Sequence, residues 1–407
     1  MRADAVIVGA GAMGLSTALH LALLGRDVVV VERAEAGSQA SGRAAGLFKS
    51  IQADELRSVL ARRSIARALT FADWAGVPLP VQRSGSLAIA RTARHAAFLA
   101  AEVEESRAWG VPILDLDPRD LPGRTSLYRA GGSEERICWC PEDVYVEEPM
   151  SLIEAYAAAC RLRGVEIREC EEVIGVDVVA GAVAAVHTTA ARIDTEVLVD
   201  AAGAWTRHVA GLAGAWLPIA PVRHQLLITP PSADVDPGDP IVRVVDAAVY
   251  VRPARGGLML GGFEADPLPI DPVEQDAAFA TDDLPLDLGV LHRMAAQVQA
   301  EIPAVADPPV AVHRGGMFTM IPDGRFLTGP VPEVAGLWVA SGCNGSGFSS
   351  SPAIGEALAA LIAGRPPIAD LAPLAPSRLP RVAGEDVVKA GIWQYAHYYD
   401  PVDAGSS

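Results

Sequence analysis

The sequence predicts an α/β protein whose parallel-sheet domain is assembled from separated stretches of chain, with an antiparallel sheet inserted into it. Three observations carry this reading. A strand–helix–strand unit of about thirty residues opens the chain. A junction rich in small residues, SGCNGSGFSSSPAIGEAL at Ser341–Leu358, lies between a strand-like and a helix-like stretch near the other end. Short alternating strands fill the middle.

Taken in order, Ala5–Val8 is an apolar run ending at Gly9, as a strand buried on both faces requires. Leu15, Ala18, Leu19, Ala22 and Leu23 then recur at helical spacing up to Gly25, which suits a helix C-terminus. Asp27–Val31 is a second buried strand, ending at Glu32-Arg33. A helical stretch spans Ala53 to Trp74, and Ser86–Ala90 reads as a strand. Leu152–Arg163 is a helix, followed by strands at Val165–Arg168 and Glu172–Asp177. Val183–Thr189 and Ile193–Val199 form a hairpin leading into the buried run TEVLVDAAGAW. From Val222 the pattern turns to alternating strands (HQLLIT, Ala248–Val251, GLMLGGF), with loops at Pro230–Pro240 and Asp266–Asp287. Leu337–Ala340 is the last strand before the small-residue junction and a final helix. The expected division is 1–85, 145–220 and 325–370 for the parallel-sheet domain, 86–144 and 221–324 for the inserted one, and 371–407 for a tail. Trp393, Tyr395, Tyr398 and Tyr399 in that tail have near-helical spacing: a packing stripe or subunit contact, or else a lid over a site.

Half of the 407 residues are hydrophobic and a fifth are charged, which fits a globular chain with a large core. Fifty acidic against 33 basic residues give a net charge of −17, which argues against nucleic acid or an anionic membrane as partner. No apolar run reaches the length of a membrane span and no signal peptide is visible, so the expectation is cytoplasmic. Five sparse cysteines without metal spacing read as reduced thiols, and no metal site is expected.

Gly9-Ala-Gly11-Ala12-Met13-Gly14 falls between the first strand and helix, where a Rossmann-like dinucleotide fingerprint belongs. Gly9 allows the tight turn, Gly11 lets a pyrophosphate approach the backbone, and Gly14 lets the helix pack on the strand. The first-turn amides and the helix dipole then face the phosphates. Glu32, at the end of the second strand, is placed to accept ribose hydroxyls and disfavours a 2′-phosphate. The fingerprint alone leaves NAD and FAD both open.

GAGAMGLSTALHLALLGRDVVVVER followed by SQASGRAAG closely resembles the FAD-binding region of the D-amino-acid oxidase superfamily, which includes glycine oxidase, sarcosine oxidase and the sarcosine and dimethylglycine dehydrogenases. The resemblance continues through VLVDAAGAWT, YVRPARGGLMLGGFE, HRGGMFTMIPDGRFLTGP and GLWVASGCNGSGFSSSPAIGEALAALIAG, covering most of residues 1–365 in the family's order. It implies a D-amino-acid oxidase-like fold, a Rossmann-like FAD-binding domain with an inserted antiparallel-sheet substrate domain. It also implies an oxidoreductase acting on the C–N bond of an amino acid or N-alkyl amino acid. The electrons would pass to oxygen or another acceptor. Alternatives are a 2-hydroxy-acid oxidase or dehydrogenase on the same fold, and a flavin-bearing subunit or binding module of an electron-transfer complex. An NAD enzyme is disfavoured because SQASGRAAG and the late junction have no role in it. The sequence sets neither oligomer nor substrate.

By resemblance, Arg33, Ser41, Ala44, Ala45 and Gly46 lie along the cofactor, Val173 contacts the adenine, and Ala202, Gly203 and Trp205 close over it. Gly342, Asn344, Gly345, Ser346, Gly347, Phe348 and Ser349 bring the late helix to the flavin ring. Ser349–Ser351 are expected to cap that helix, with Pro352 in its first turn. Gly316 and Arg43 stand where relatives carry a flavin-linking cysteine or histidine, so FAD is expected to be non-covalent. Met259 stands where sarcosine oxidases hold a lysine above the flavin, and Phe318 where glycine oxidases hold a substrate arginine. Phe318 and Met259 are expected to wall the substrate side. Candidate substrate residues are Lys49, His224, Tyr250 and Arg252, because a carboxylate substrate requires a cation.

Overall fold

The computed structural model describes residues 1–132 and 135–400. One sheet orders its strands Leu327–Pro330, Leu337–Ser341, Leu198–Asp200, Ala5–Val8, Val28–Val31 and Glu166–Arg168. All neighbours run parallel except Leu327–Pro330, which is antiparallel to its partner. AVIV and VVVV are apolar at every position because alternate residues enter different cores. Ala5 and Ile7 pack with the helices Ala12–Leu23, Met150–Leu162 and Gly347–Ile362. Val6 and Val8 pack under the small sheet formed by Val173–Val179, Ala182–Thr188 and Arg192–Asp194.

Helices Ala12–Leu23 and Gly347–Ile362 cross closely. A Cβ on Gly355 would lie 2.3 Å from Ser16 Oγ, and one on Gly14 would lie 1.9 Å from the Gly9 carbonyl. The predicted helix Ala53–Trp74 is two helices, Glu55–Leu69 and Phe71–Ala75. Asp54 caps the first by accepting from the Arg57 amide at 2.8 Å, and the chain leaves helical geometry at Thr70.

The second sheet has the order Val312–Met320, Ala220–Ile228, Gly257–Gly262, Val249–Ala254, Ile241–Val244, Ser86–Ala90, Arg136–Cys140 and Leu114–Asp115. It is antiparallel except for one internal pair, Ile241–Val244 against Ser86–Ala90. Helix Leu288–Val298 packs on it through Leu291, Met294, Ala295 and Val298, in a stretch where the sequence suggests no element. Helix Gly384–Ala396 lies against Ala220–Ile228, where a Cβ on Gly391 would come within 2.6 Å of Ala220 Cβ. No described helix is long and apolar enough to cross a membrane.

His20, buried in the first helix, stacks on Trp74 at 4.9 Å, while its Nε2 has no partner. Burial lowers its pKa from 6.5 to about 4. The unfolded chain therefore binds the extra proton between those values, and stability falls as pH drops through that window. The cost at pH 5 is about 2 kcal/mol. His20→Phe keeps the stacking shape and removes the titration. Its stability relative to wild type is expected to rise by that amount from pH 8 to pH 5 in urea unfolding; an unchanged difference would count against this account.

Candidate active site

A deep cleft runs from the carboxyl ends of the parallel strands to the face of the second sheet. At its first end the helix Ala12–Leu23 begins without a side-chain cap and without an acidic residue in its first turn. Its N-terminus therefore presents free donors to the cleft. Ala12 N donates to Ser41 Oγ at 3.1 Å, which ties the SQASGRAAG loop to this turn. Gly9 holds φ +102°, and a Cβ there would sit 2.5 Å from the Ala201 carbonyl. A Cβ on Gly11 would press on Ser41 Oγ at 3.0 Å, against the side chain that receives the Ala12 amide. Glu32 is fixed by the Ala10 and Ala34 amides at 2.8 and 2.9 Å. Burial raises its pKa against the pull of those two donors. Farther out, Val173 and Ala202 line the cleft, and Arg33 lies 4.0 Å above the Trp205 ring. This cradle has the free amides, the absent side chains and the carboxylate that a dinucleotide requires.

Arg43, Ala44, Ala45, Gly46, Gly203 and Gly316 line the middle, with Met13 beneath them. Arg43 pairs with Asp282 at 2.7 Å and donates to the Ser38 carbonyl. Gln39 accepts from Thr281 through both N and Oγ1, at 2.9 and 2.7 Å. Arg33 also donates to the Phe279 carbonyl. The stretch around Phe279–Asp283, expected as a loop on the second sheet, is thus tied to the cleft edge.

At the far end the helix Gly347–Ile362 points its N-terminus into the cleft, with Gly345, Ser346, Gly347, Phe348 and Ser349 lining it. The expected serine cap is corrected here. Ser346 occupies the N-cap position without a side-chain capping bond, and Pro352 lies inside the helix. Pro352 has no amide for the Phe348 carbonyl, which accepts from Ser351 Oγ at 2.9 Å instead. Ala353 N likewise turns to Ser64 Oγ at 3.2 Å. Cys343 fills the space beneath, where a Cβ on Gly347 would lie 2.4 Å from its sulfur.

Beyond that N-terminus is an aromatic chamber. His224 stacks on Phe318 at 4.1 Å. Its Nδ1 and Nε2 bond the hydroxyls of Tyr395 and Tyr250 at 2.8 and 3.0 Å. Burial lowers its pKa to about 3, so it is neutral near pH 7. Lys49 Nζ lies 4.7 Å from the Tyr398 ring and 5.5 Å from that of Tyr399, and among the described residues no carboxylate pairs with it. Burial opposes its charge, but the two phenols outweigh that and raise its pKa.

Five of the expected residues do not line the cleft. Gly14 serves the helix–strand contact described above. Gly342 (φ +59°) packs against Ile321 and Leu327. Asn344 holds the turn, accepting from Ile321 N at 2.9 Å and donating to the Arg325 carbonyl at 2.9 Å. Arg252 is fully buried over the Tyr145 ring. It donates to the carbonyls of Ala45, Glu147 and Pro253, so its charge is solvated by backbone and not offered to a ligand. Met259 is packed among Leu226, Ile228, Tyr250 and Ala254 and walls nothing.

Three groups in the cleft were not singled out from sequence. Arg243 is held by Asp143 at 3.2 Å, and Asp143 also accepts from Ser50 and Ser86. Arg314 donates to the Ala44 carbonyl at 3.0 Å. Phe263 stacks on Tyr398 at 4.0 Å. Arg243 carries a faint signal in IVRVV, a lone cation in an apolar strand; Arg314 and Phe263 carry none.

A nucleotide cradle that opens into an aromatic chamber over a second sheet defines a dinucleotide-dependent redox protein. The model of the DAO family, FAD dependent oxidoreductase, matches residues 4–361, and the chain belongs to that family. The 4-methylaminobutanoate oxidase (formaldehyde-forming) of Paenarthrobacter nicotinovorans is 29% identical over 366 residues, 89% of this chain and 44% of that protein. Glycine oxidase of Pseudomonas aeruginosa is 28% identical over 379 residues, 91% of this chain and 98% of that one. The crystal structure of L-proline dehydrogenase from P. horikoshii superposes with a TM-score of 0.82 at 24% identity, covering 93% of this chain and 97% of the other. The chain spans less than half the length of several curated relatives it matches, at 44%, 41% and 40%.

Proposed function

We propose that the protein oxidises the C–N bond of an amino acid or N-alkyl amino acid to an imine, which then hydrolyses in water. The observation that carries this reading is the charge pattern of the chamber. Lys49 forms no ion pair among the described residues, Arg314 is bonded to the Ala44 carbonyl, Arg243 is offset by Asp143, and aromatic rings make up much of the remaining wall. A substrate carboxylate satisfies the free cation, and a neutral amine meets uncharged rings at Tyr250, His224 and Phe318.

FAD, when bound, supplies a hydride acceptor at N5 of its ring. In this reading Gly9, Gly11 and the first turn after them hold the pyrophosphate, and Glu32 holds the ribose. The adenine lies by Val173, Arg33 and Trp205. Gly345–Ser349 at the start of the late helix would hold the flavin ring, where the helix dipole would favour the negative charge of the reduced form. Gly316 offers no nucleophile and Arg43 is engaged by Asp282, which supports non-covalent FAD. Flavin retained in an acid-precipitated pellet would overturn that part. His224 is neutral with both nitrogens bonded, so it positions Tyr250 and is not a base. Orientation of the α-C–H against the ring then carries the catalysis.

An anaerobic panel of amino acids, N-methyl amino acids and 2-hydroxy acids tests the reading by bleaching of the flavin bands. Bleaching by an amino acid supports it; bleaching by hydroxy acids alone, or by none, overturns it. Lys49→Met is expected to raise the substrate KM about 10- to 100-fold at unchanged FAD content.

A further inference from the structure

The family match ends at residue 361, yet the chain beyond it reaches the chamber. Helix Gly384–Ala396 is docked by Val387 and the buried Tyr395, whose hydroxyl bonds His224 at 2.8 Å. Gln394 adds a bond to the Pro322 carbonyl at 3.1 Å. The chain then turns, with Tyr398 N on the Tyr395 carbonyl, and directs two tyrosines inward. Tyr398 lies flat on Phe263 with an interplanar angle of 9°, and its hydroxyl is 3.4 Å from Ser346 Oγ at the N-cap of the late helix. Tyr399 stands edge-on to Phe263 at 90°. Tyr399 lines the cleft, and its hydroxyl has no hydrogen-bond partner among the described residues. Both rings flank Lys49 Nζ.

A partly buried ammonium with no carboxylate in ion-pair contact among the described residues, Glu102 feeling its charge only at longer range, beside two phenols, is an anion site completed from beyond the residues that the family model matches. The geometry points to Tyr398 and Tyr399 as specificity-determining contacts for the substrate carboxylate, supplied by the C-terminal segment; this rests on the amino-acid reading above. The rings also end the chamber, so they limit the chain length between carboxylate and oxidised carbon. Truncating them lengthens the acid that fits.

The test titrates holoenzyme with straight-chain monocarboxylates from acetate to hexanoate, following perturbation of the flavin spectrum, with the matching primary amides as neutral controls. Tyr398→Phe and Tyr399→Phe keep the rings and are each expected to weaken acetate and propanoate about tenfold, with amide binding, FAD content and thermal stability at wild-type values. Tyr399→Ala is expected to shift the tightest-binding acid to a longer chain. Carboxylate affinities within twofold of wild type in all three variants, or equal losses for acids and amides, would overturn the proposal. The titration needs no turnover. If no amino acid bleaches the wild-type flavin, the proposed function falls while the carboxylate series still decides the role of the tail.

Discussion

The Gly9→Ala protein is expected to leave purification colourless. Gly9 holds φ +102°, outside the region open to residues with a side chain, and an added Cβ would lie 2.5 Å from the Ala201 carbonyl and 3.2 Å from Ala202 Cα. Both obstacles are backbone, at the end of strand Leu198–Asp200 and in the turn after it, so no rotamer change relieves them. The turn must move, and with it the Gly11 and Ala12 amides and the Ser41 loop that is bonded to the Ala12 amide. Strain of about 2–3 kcal/mol, added to displaced phosphate donors, corresponds to at least roughly 100-fold weaker FAD. Absorbance at the flavin maximum relative to 280 nm and titration of apoprotein with FAD measure it. A flavin ratio equal to wild type would remove Gly9 from the cofactor cradle.

Arg243→Met is expected to cost about 3–5 kcal/mol of folding stability, because it strands Asp143 in the interior. Asp143 is wholly buried and accepts from Ser50 N at 2.7 Å and from the hydroxyls of Ser50 and Ser86, both at 2.5 Å. Those neutral donors orient the carboxylate but do not balance its charge. Burial opposes the Arg243 cation, yet its attraction to Asp143 outweighs this and raises its pKa. Asp143→Asn in the Arg243→Met background keeps the acceptor without the charge, and is expected to recover most of the loss. Denaturant unfolding of both single variants, the double variant and wild type gives the coupling directly. A coupling near zero would mean that the pair is incidental. Because Arg243 also lines the chamber, this pair fixes the site's charge balance together with its stability.

How much of this was legible depended on whether a residue's role is local. The Gly9–Gly14 run, the apolar strands and Glu32 follow from sterics and spacing within one βαβ unit, so about thirty residues suffice to read them. The late junction was legible as a strand–turn–helix, but its capping was not. Ser346 stands at its N-cap without a side-chain cap bond, and the Ala353 amide inside it goes to Ser64, 289 residues away along the chain. Arg252 looked like a site residue as a cation for a substrate carboxylate, and Met259 because it stands where sarcosine oxidases hold a lysine; the sheet's contacts turned the first toward three carbonyls and the second into apolar packing.

The sequence by itself determined a dinucleotide cradle and the family, since both rest on short contiguous motifs whose backbone needs are fixed by glycine and by strand burial. Only the tertiary structure decided what the chamber is made of. Lys49, His224, Arg243, Phe263 and Tyr398 are far apart along the chain, and although Lys49, His224 and Tyr398 stood out singly in sequence, nothing there joins them. Their shared environment exists only once the second sheet and the C-terminal helix close on the late helix. Burial then sets which charges are ion-paired, as Arg243 is, and which have no carboxylate in contact, as Lys49 has none among the described residues.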